Sequence, residues 1–432
     1  MQQPILVIAY YWPPAGGPGV QRWLGFTTHL VEMGYEVTLV VPQNAHYPVE
    51  DKSLLTAVPE GVMVLKVPIK EPSRLASSLS RKRTNQLQKG IINTKPSPLQ
   101  NVLLWLRGNL FIPDARVGWK PAVLRAVQDY CARNKEFTLI TTGPPHSVHL
   151  IGSALKKQHP AIKWLADFRD PWTTIGYHKD LKLTASASRK HDALEQQTLD
   201  GCDALIVTSP HTAAEFSSKT STPVHVVTNG YDIAVNETNA QPAGKFTLTH
   251  TGTLLANRNP QVLWETLRKL LDTVADFKEH FELVLAGNVA SDIYTSIAEC
   301  GLSDYATSKG YVSHYEAVEI LFNSQLLLLI EINTEETKAI IAGKIFEYLA
   351  SRRPIVAIGP AEADIGTIIE ENEAGAFFLY VDAQKLFDYI LQKYHAYKTN
   401  ANVAVAGKNV KAYHRKALTQ SLAAIIDKQW AS

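Results

Sequence analysis

The chain has 432 residues, 45% of them hydrophobic and 19% charged, with a formal net charge of +2. This usage excludes a disordered or fibrous chain, the length is more than one ordinary core fills, and the near-balanced charge supplies no overall field for nucleic acid. Cys131, Cys202 and Cys300 are scattered, which excludes a disulfide framework and a spaced zinc site and fits a reducing, cytoplasmic compartment.

A first strand is expected at residues 5–9, directly after an opening that carries neither a basic region nor a long apolar stretch. Further β-rich runs follow at 36–41, 62–67, 137–141, 162–167, 204–208 and 224–227. Most are separated by helix-like sequence. Such near-continuous apolar strands must be covered on both faces, which predicts a parallel sheet wound by right-handed crossovers. Residues 72–113 break the rhythm: they include no acidic residue but carry Arg74, Arg81, Lys82, Arg83, Lys89, Lys95 and Arg107, with the apolar group Val102, Leu103, Leu104, Trp105 and Leu106 near the end. Two readings fit this segment, a solvated loop leading into a buried helix, or a surface that lies on an anionic membrane. After the polar stretch 235–245 the strand rhythm restarts at 246–250, 281–286, 325–331 and 354–358, and 411–430 reads as a final helix. A boundary near residue 240 follows, with domains 1–238 and 239–410 and a C-terminal segment 411–432. No run reaches the roughly 18 apolar residues needed to span a bilayer, so a soluble or peripheral protein is expected.

Open α/β sheets bind ligands at the carboxyl ends of their strands, and the turns that follow the strands are where chemistry is to be sought. After the first strand comes Tyr10-Tyr11-Trp12-Pro13-Pro14-Ala15-Gly16-Gly17-Pro18-Gly19 and then a helix. Its glycines allow close backbone approach and its amides face a helix start, which suits phosphate or serves only as a structural turn; the spacing is not the dinucleotide fingerprint. In Thr141-Thr142-Gly143-Pro144-Pro145-His146-Ser147 a strand gives way to a helix, with Ser147 the expected cap. His146 is either a structural histidine or a neutral imidazole at the mouth of the sheet that meets a hydroxyl. In Asp167-Phe168-Arg169-Asp170-Pro171-Trp172 the charges crowd a turn; the carboxylates, Asp170 above all, could orient hydroxyls, or Arg169 could bridge to a neighbour and lock the turn. Farther on, His250-Thr251-Gly252-Thr253 ends a strand and Arg258 precedes a helix expected from about Asn259. Arg258 is either a surface arginine or a fork for a diphosphate, and because a cation at that end of a helix is unfavourable, an anionic ligand between them is favoured. With a helix starting near Gly343, Lys344 lies in its first turn and Glu347 one turn on along the same side, placed for a phosphate and a ribose or simply for one another.

In order along the chain, the Gly16-Gly17-Pro18-Gly19 loop, His146, the 167–172 run, Asn229-Gly230-Tyr231-Asp232, Thr251-Gly252-Thr253, Gly310-Tyr311-Val312 and 343–350 resemble family 4 glycosyltransferases of the GT-B fold. The resemblance implies two Rossmann-like domains facing a cleft, with the C-terminal helix crossing back onto the first. It further implies transfer from a nucleotide-sugar donor, UDP- or GDP-linked, to a glycan or lipid-linked acceptor, with retention and without a metal or other cofactor. Arg258, Lys344 and the amides near Gly16 and Gly17 would then neutralise the departing diphosphate. Gly252, Thr253 and Gly343 would line the donor, Glu347 would hold the ribose, the backbone at Tyr311 and Val312 would meet the base, and His146 would lie beside the transferred sugar. Trp12, Arg169 and Asn229 are expected on the acceptor side. Two positions depart from the family's pattern. Where an acidic residue commonly stands eight places before Glu347 this chain has Ala339, for which Glu331, Glu335 or Glu336 could compensate; where an Arg commonly follows the first glycine of the second domain it has Thr253. A sugar-nucleotide epimerase or hydrolase and a catalytically silent donor-binding protein are the alternative readings.

Overall fold

The structure is a computed structural model that describes residues 3–47, 49–71, 98–179, 181–234, 244–399, 405 and 407–431. It is α/β, and the chain forms two compact units, Met1–Asn229 with Arg415–Ser432, and Gly230–His414.

The first unit is built on seven strands, β1 (Ile5–Ala9), β2 (Val37–Pro42), β3 (Met63–Val67), β4 (Thr138–Gly143), β5 (Lys163–Phe168), β6 (Ala204–Val207) and β7 (Val224–Val226). They lie in the order β3-β2-β1-β4-β5-β6-β7, and every pairing is parallel. All five residues of β1 and all six of β2 and β4 are buried, as strands covered by helices on both faces must be. Helix α1 (Pro18–Glu32) starts with Pro at its first position behind Gly17, whose φ of 111° suits glycine alone. It buries Val20, Trp23, Leu24, Phe26 and Leu30. The C-terminal helix α2 (Arg415–Trp430) packs on α1 through Leu418, Leu422, Ala423 and Ile426, the larger of these contributing roughly 1.5–3 kcal/mol each. Tyr35 donates to Asp427 (2.7 Å) and the Trp430 indole to Thr138 (2.9 Å), fixing the same helix in place.

The second unit has six parallel strands, β8 (Phe246–Thr251), β9 (Phe281–Ala286), β10 (Ala306–Gly310), β11 (Leu326–Ile330), β12 (Ile355–Gly359) and β13 (Gly375–Leu379), in the order β10-β9-β8-β11-β12-β13. The chain changes unit at Gly230, ahead of the boundary expected near 238, and residues 411–414 stay with the second unit. The reason is local: the Tyr231 amide donates to the Tyr413 carbonyl (3.2 Å) and its buried hydroxyl to the Val410 carbonyl (3.2 Å). These bonds hold the incoming and outgoing chain together in the second unit. The polar stretch 235–243, where the boundary was expected, lies outside the described residues.

Candidate functional site

In the second unit, three turns at the carboxyl ends of adjacent strands each contain a glycine in the left-handed region: Gly252 after β8 (φ 91°), Gly287 after β9 (φ 130°) and Gly310 closing β10 (φ 63°). Backbone bonds join them. The Gly252 amide donates to the Ala286 carbonyl (2.7 Å), and that of Gly287 to the Gly310 carbonyl (2.6 Å). A Cβ on Gly287 would stand 2.2 Å from the Gly252 carbonyl oxygen, so only glycine lets these turns approach so closely.

Helix α3 (Lys344–Ser351) brings its first side chain onto this floor. Its apolar residues Ile345, Phe346, Tyr348 and Leu349 are buried, which leaves Lys344 and Glu347 on the remaining side. The Lys344 ammonium donates to the Thr251 carbonyl (2.6 Å) and to Nε2 of His250 (3.1 Å). Because Nδ1 of His250 faces the Leu328 carbonyl at 3.0 Å, a group that can only accept, Nδ1 carries the ring proton and Nε2 is the acceptor. Burial first, and the Lys344 charge second, hold His250 neutral, well below its ordinary range. Burial also pushes the Lys344 ammonium down to about 7, with Arg258 acting in the same direction and Glu331 and Glu347 against it. A Cβ on Gly252 would lie 3.2 Å from the Lys344 nitrogen, so the absent side chain leaves room for the ammonium.

Arg258 precedes helix α4 (Gln261–Thr273), which starts two residues later than expected. Its guanidinium lies 3.1 Å from Glu331, whose side chain is 1% exposed against 18% for the arginine. Glu331 follows β11, and the charges of both Arg258 and Lys344 act on it. Burial nevertheless outweighs them and raises its carboxyl above the ordinary range. Glu347 acts electrostatically on Lys344 and stands 3.7 Å from His314. Thr253 is exposed beside Gly252, Val312 is half-buried, Gly343 caps α3 through its backbone, and the Tyr311 ring is 91% exposed. Thus Gly252, Arg258, Lys344 and Glu347 come together within one unit.

The first unit gathers a second set. His146 is the N-cap of helix α5 (Ser147–Gln158), and its ring lies flat against Trp172, with centroids 5.1 Å and planes 6° apart. Neither ring nitrogen has a hydrogen-bond partner, and burial, then His149 and Arg169, hold the imidazole neutral. Ser147 is not the cap: its amide and hydroxyl both donate to Asp114 (2.8 Å each). Arg169 reaches across to the turn after β4. Its Nε donates to the Gly143 carbonyl (3.1 Å), a terminal nitrogen to that of Pro144, and its guanidinium covers the Tyr11 ring at 5.9 Å. Asp170 is half-buried, and burial lifts its carboxyl above the ordinary range in spite of Arg169. Asp167 is a structural anchor, fully buried, receiving bonds from Arg22 (2.8 Å), Trp23 (2.8 Å) and Thr142 (2.7 Å). The Gly16 amide is not open to phosphate, because it donates to the Val49 carbonyl (3.0 Å); Gly17 keeps its place as the helix cap. Trp12 is 3% exposed and packs in the core with Trp23, so it offers no ring to an acceptor. Asn229 is half-buried with its side-chain oxygen unpartnered.

By sequence the chain matches no protein-family model and no curated protein. By structure it is similar over essentially its whole length to a sucrose-phosphate synthase from Thermosynechococcus elongatus (16% identity, 100% of each chain covered, TM-score 0.58). It is likewise similar to TarM of S. aureus (11% identity, 98% of this chain and 100% of that one, TM-score 0.61) and to WaaG, a glycosyltransferase involved in lipopolysaccharide biosynthesis (11% identity, 98% and 99%, TM-score 0.55). The fold is that of the GT-B glycosyltransferases.

Within this GT-B frame, sequence reading left out three contributors. His250 sits inside the quoted His250-Thr251-Gly252 run, but only the sheet shows that its ring reaches Lys344. Tyr348, one residue past Glu347, takes the Thr251 amide on its hydroxyl (3.1 Å) and so fixes the end of β8. Gly287 carried no motif; its signal is a lone glycine directly after an apolar strand.

Proposed function

We propose that the protein is a retaining glycosyltransferase that moves a sugar from a UDP- or GDP-linked donor to a glycan or lipid-linked acceptor without a metal. One observation carries the reading: Lys344 and Arg258, with Glu347 beside them, converge at glycine-lined strand ends of the second unit. Two cations at a floor built for close backbone approach suit a diphosphate whose charge grows as the glycosyl bond breaks. Fixed charge placed where negative charge develops is commonly the largest catalytic contribution. A structure of TarM holds UDP, which supports assigning this floor to a nucleoside diphosphate. Glu347 accepts the ribose hydroxyls, the exposed Tyr311 segment meets the base, and Gly252, Thr253 and Gly343 line the donor. In the first unit, neutral His146 and Asp170 are the groups assigned to hydroxyls. No residue is required as an obligatory base, since the leaving phosphate can collect the acceptor proton.

Incubation with nucleotide sugars and glycan or lipid-linked acceptors should release free nucleoside diphosphate together with glycosylated product, followed by chromatography and mass. Donor binding with neither product would instead make the chain a silent binding protein, and an interconverted sugar on an intact donor would make it an epimerase.

The acceptor reading includes a peripheral site on the cytoplasmic face of a membrane. Helix Pro98–Leu110 buries Leu104 but exposes Val102, Trp105 and Leu110 at 54%, 42% and 63%. Arg74, Arg81, Lys82, Arg83, Lys89 and Lys95 of the same basic stretch lie outside the described residues. No helix among the described residues is long and apolar enough to cross a membrane. Reversing the charge of Arg81, Lys82 and Arg83 is expected to abolish sedimentation with anionic liposomes; unchanged sedimentation would remove the membrane from this account.

A further inference from the structure

Among the described residues of the second unit, Glu331 is a buried carboxylate without a hydrogen bond. Its side chain is 1% exposed, yet neither carboxylate oxygen accepts a hydrogen bond, and its close partner is Arg258 at 3.1 Å. The Arg258 Nε–H is buried and equally without an acceptor. A buried carboxylate normally collects several donors, because losing water around a charge is costly unless every lone pair is compensated. Here the compensation is partial and comes from cations that the donor reading assigns to a diphosphate. The backbone of Glu331, by contrast, is fully engaged: its amide donates to the Ile358 carbonyl (2.8 Å) and its carbonyl accepts from the Tyr380 hydroxyl (2.8 Å). The carboxylate is therefore held at the end of β11 by a pinned main chain.

We propose that Glu331 is a positioning residue for donor binding: it holds the Arg258 guanidinium at the floor of the site and supplies the negative charge that lets Arg258 and Lys344 share it while no diphosphate is bound. The inference rests on the donor reading above. It also answers the departure at Ala339. Besides Glu347, an acidic residue near the cations comes from the end of β11 and acts through Arg258 and Lys344.

The charged and titratable groups around it come from every neighbouring element. Arg258 stands in the segment before α4, Lys344 and Glu347 on α3, His250 on β8, and Tyr380 after β13. His250 is neutral and accepts from Lys344, so it adds no charge. Glu331 and Glu347 favour the charged form of Lys344, whereas burial and Arg258 oppose it, and the ammonium titrates near 7. Above that pH the free protein has lost the Lys344 proton, and an anionic donor must recruit it again on binding. Donor affinity should accordingly fall as pH rises above about 7, by up to roughly tenfold per pH unit. Removing the Glu331 charge removes one of the two groups that keep Lys344 protonated, so the fall should begin at lower pH.

The test is titration calorimetry of the full chain with UDP-glucose and GDP-mannose, whose esterified diphosphates keep constant charge from about pH 6 to 9, on wild type, Glu331→Gln and Glu331→Asp. The expected result is weaker binding by Glu331→Gln, about tenfold at neutral pH, with the onset of the affinity loss displaced to lower pH. Glu331→Asp should keep the wild-type onset. A Glu331→Gln protein that melts lower but shows the wild-type onset would overturn the inference and leave Glu331 a structural residue. Wild type that binds neither nucleotide sugar would overturn the donor reading itself, and this inference with it. Wild type that binds with no change between pH 6 and 9 would overturn the inference alone.

Discussion

Lys344→Ala is expected to lower turnover by about 10²- to 10³-fold, the loss that follows removal of one preorganised group from a site of developing charge. The ammonium is fixed at 2.6 Å from the Thr251 carbonyl and 3.1 Å from His250. In the proposed reading it therefore needs no rearrangement as negative charge grows on a departing diphosphate. Gly252 is part of the same device, since a Cβ there would stand 3.2 Å from the lysine nitrogen. Truncating Lys344 removes an exchangeable charge and leaves His250 Nε2 without its donor. Its effect should fall on the chemical step more than on folding, because the side chain is half-buried and lies in the first turn of a short helix. Steady-state release of nucleoside diphosphate checks this, with thermal melting as the control. Unchanged turnover would remove Lys344 from the chemistry.

Asp167→Ala should have its large effect on stability, at about 3–5 kcal/mol, the usual cost of leaving one member of a buried ion pair alone. Arg22 is 1% exposed and Asp167 is at 0%, so the guanidinium would remain in the core with its carboxylate gone. The Trp23 indole and the Thr142 hydroxyl would lose their acceptor as well. Thermal melting should move by roughly ten degrees, given about 2–4 °C per kcal/mol for a unit of this size. The same cluster sets a pH dependence. Burial alone would raise the Asp167 carboxyl, but the Arg22 charge and the bonds from Arg22, Thr142 and Trp23 outweigh it and hold it below its ordinary value. A depressed carboxyl contributes stability that is complete above the unfolded value and is lost as pH falls through the folded one. The wild-type first unit should thus weaken below about pH 4, and the Asp167→Ala protein should show a shallower acid limb in the same window. A melting temperature within two or three degrees of wild type would contradict the assignment of Asp167 to structure.

All seven strands of the first sheet and four of the second were legible in the sequence. β1, β2, β9, β11 and β12 are apolar nearly from end to end because helices cover both faces, and these, like the threonine-bearing β4 and β8, lie within one or two residues of their expected positions. The two strands not foreseen, β10 and β13, are the outer strands of the second sheet. β10 reads Ala-Thr-Ser-Lys-Gly and is largely exposed, so it carries no apolar run to notice. The site was legible at a coarser level. Glycines and cations at strand ends announced themselves through backbone chemistry and position. Which amide was already bonded, as at Gly16, or which tryptophan faced the core, as Trp12 does, depends on contacts with residues far away in sequence. The same holds for Arg169, whose partners, the Gly143 and Pro144 carbonyls, lie 26 and 25 residues away in sequence.

The central claim is that the glycine-lined floor carrying Lys344 and Arg258 receives a nucleoside diphosphate. Titration calorimetry of wild type and Arg258→Ala with UDP and GDP tests it most directly. One of the two nucleotides is expected to bind wild type with one-to-one stoichiometry, and Arg258→Ala to bind it at least about tenfold more weakly. Absence of binding by both nucleotides, or equal affinity in the two proteins, would contradict it.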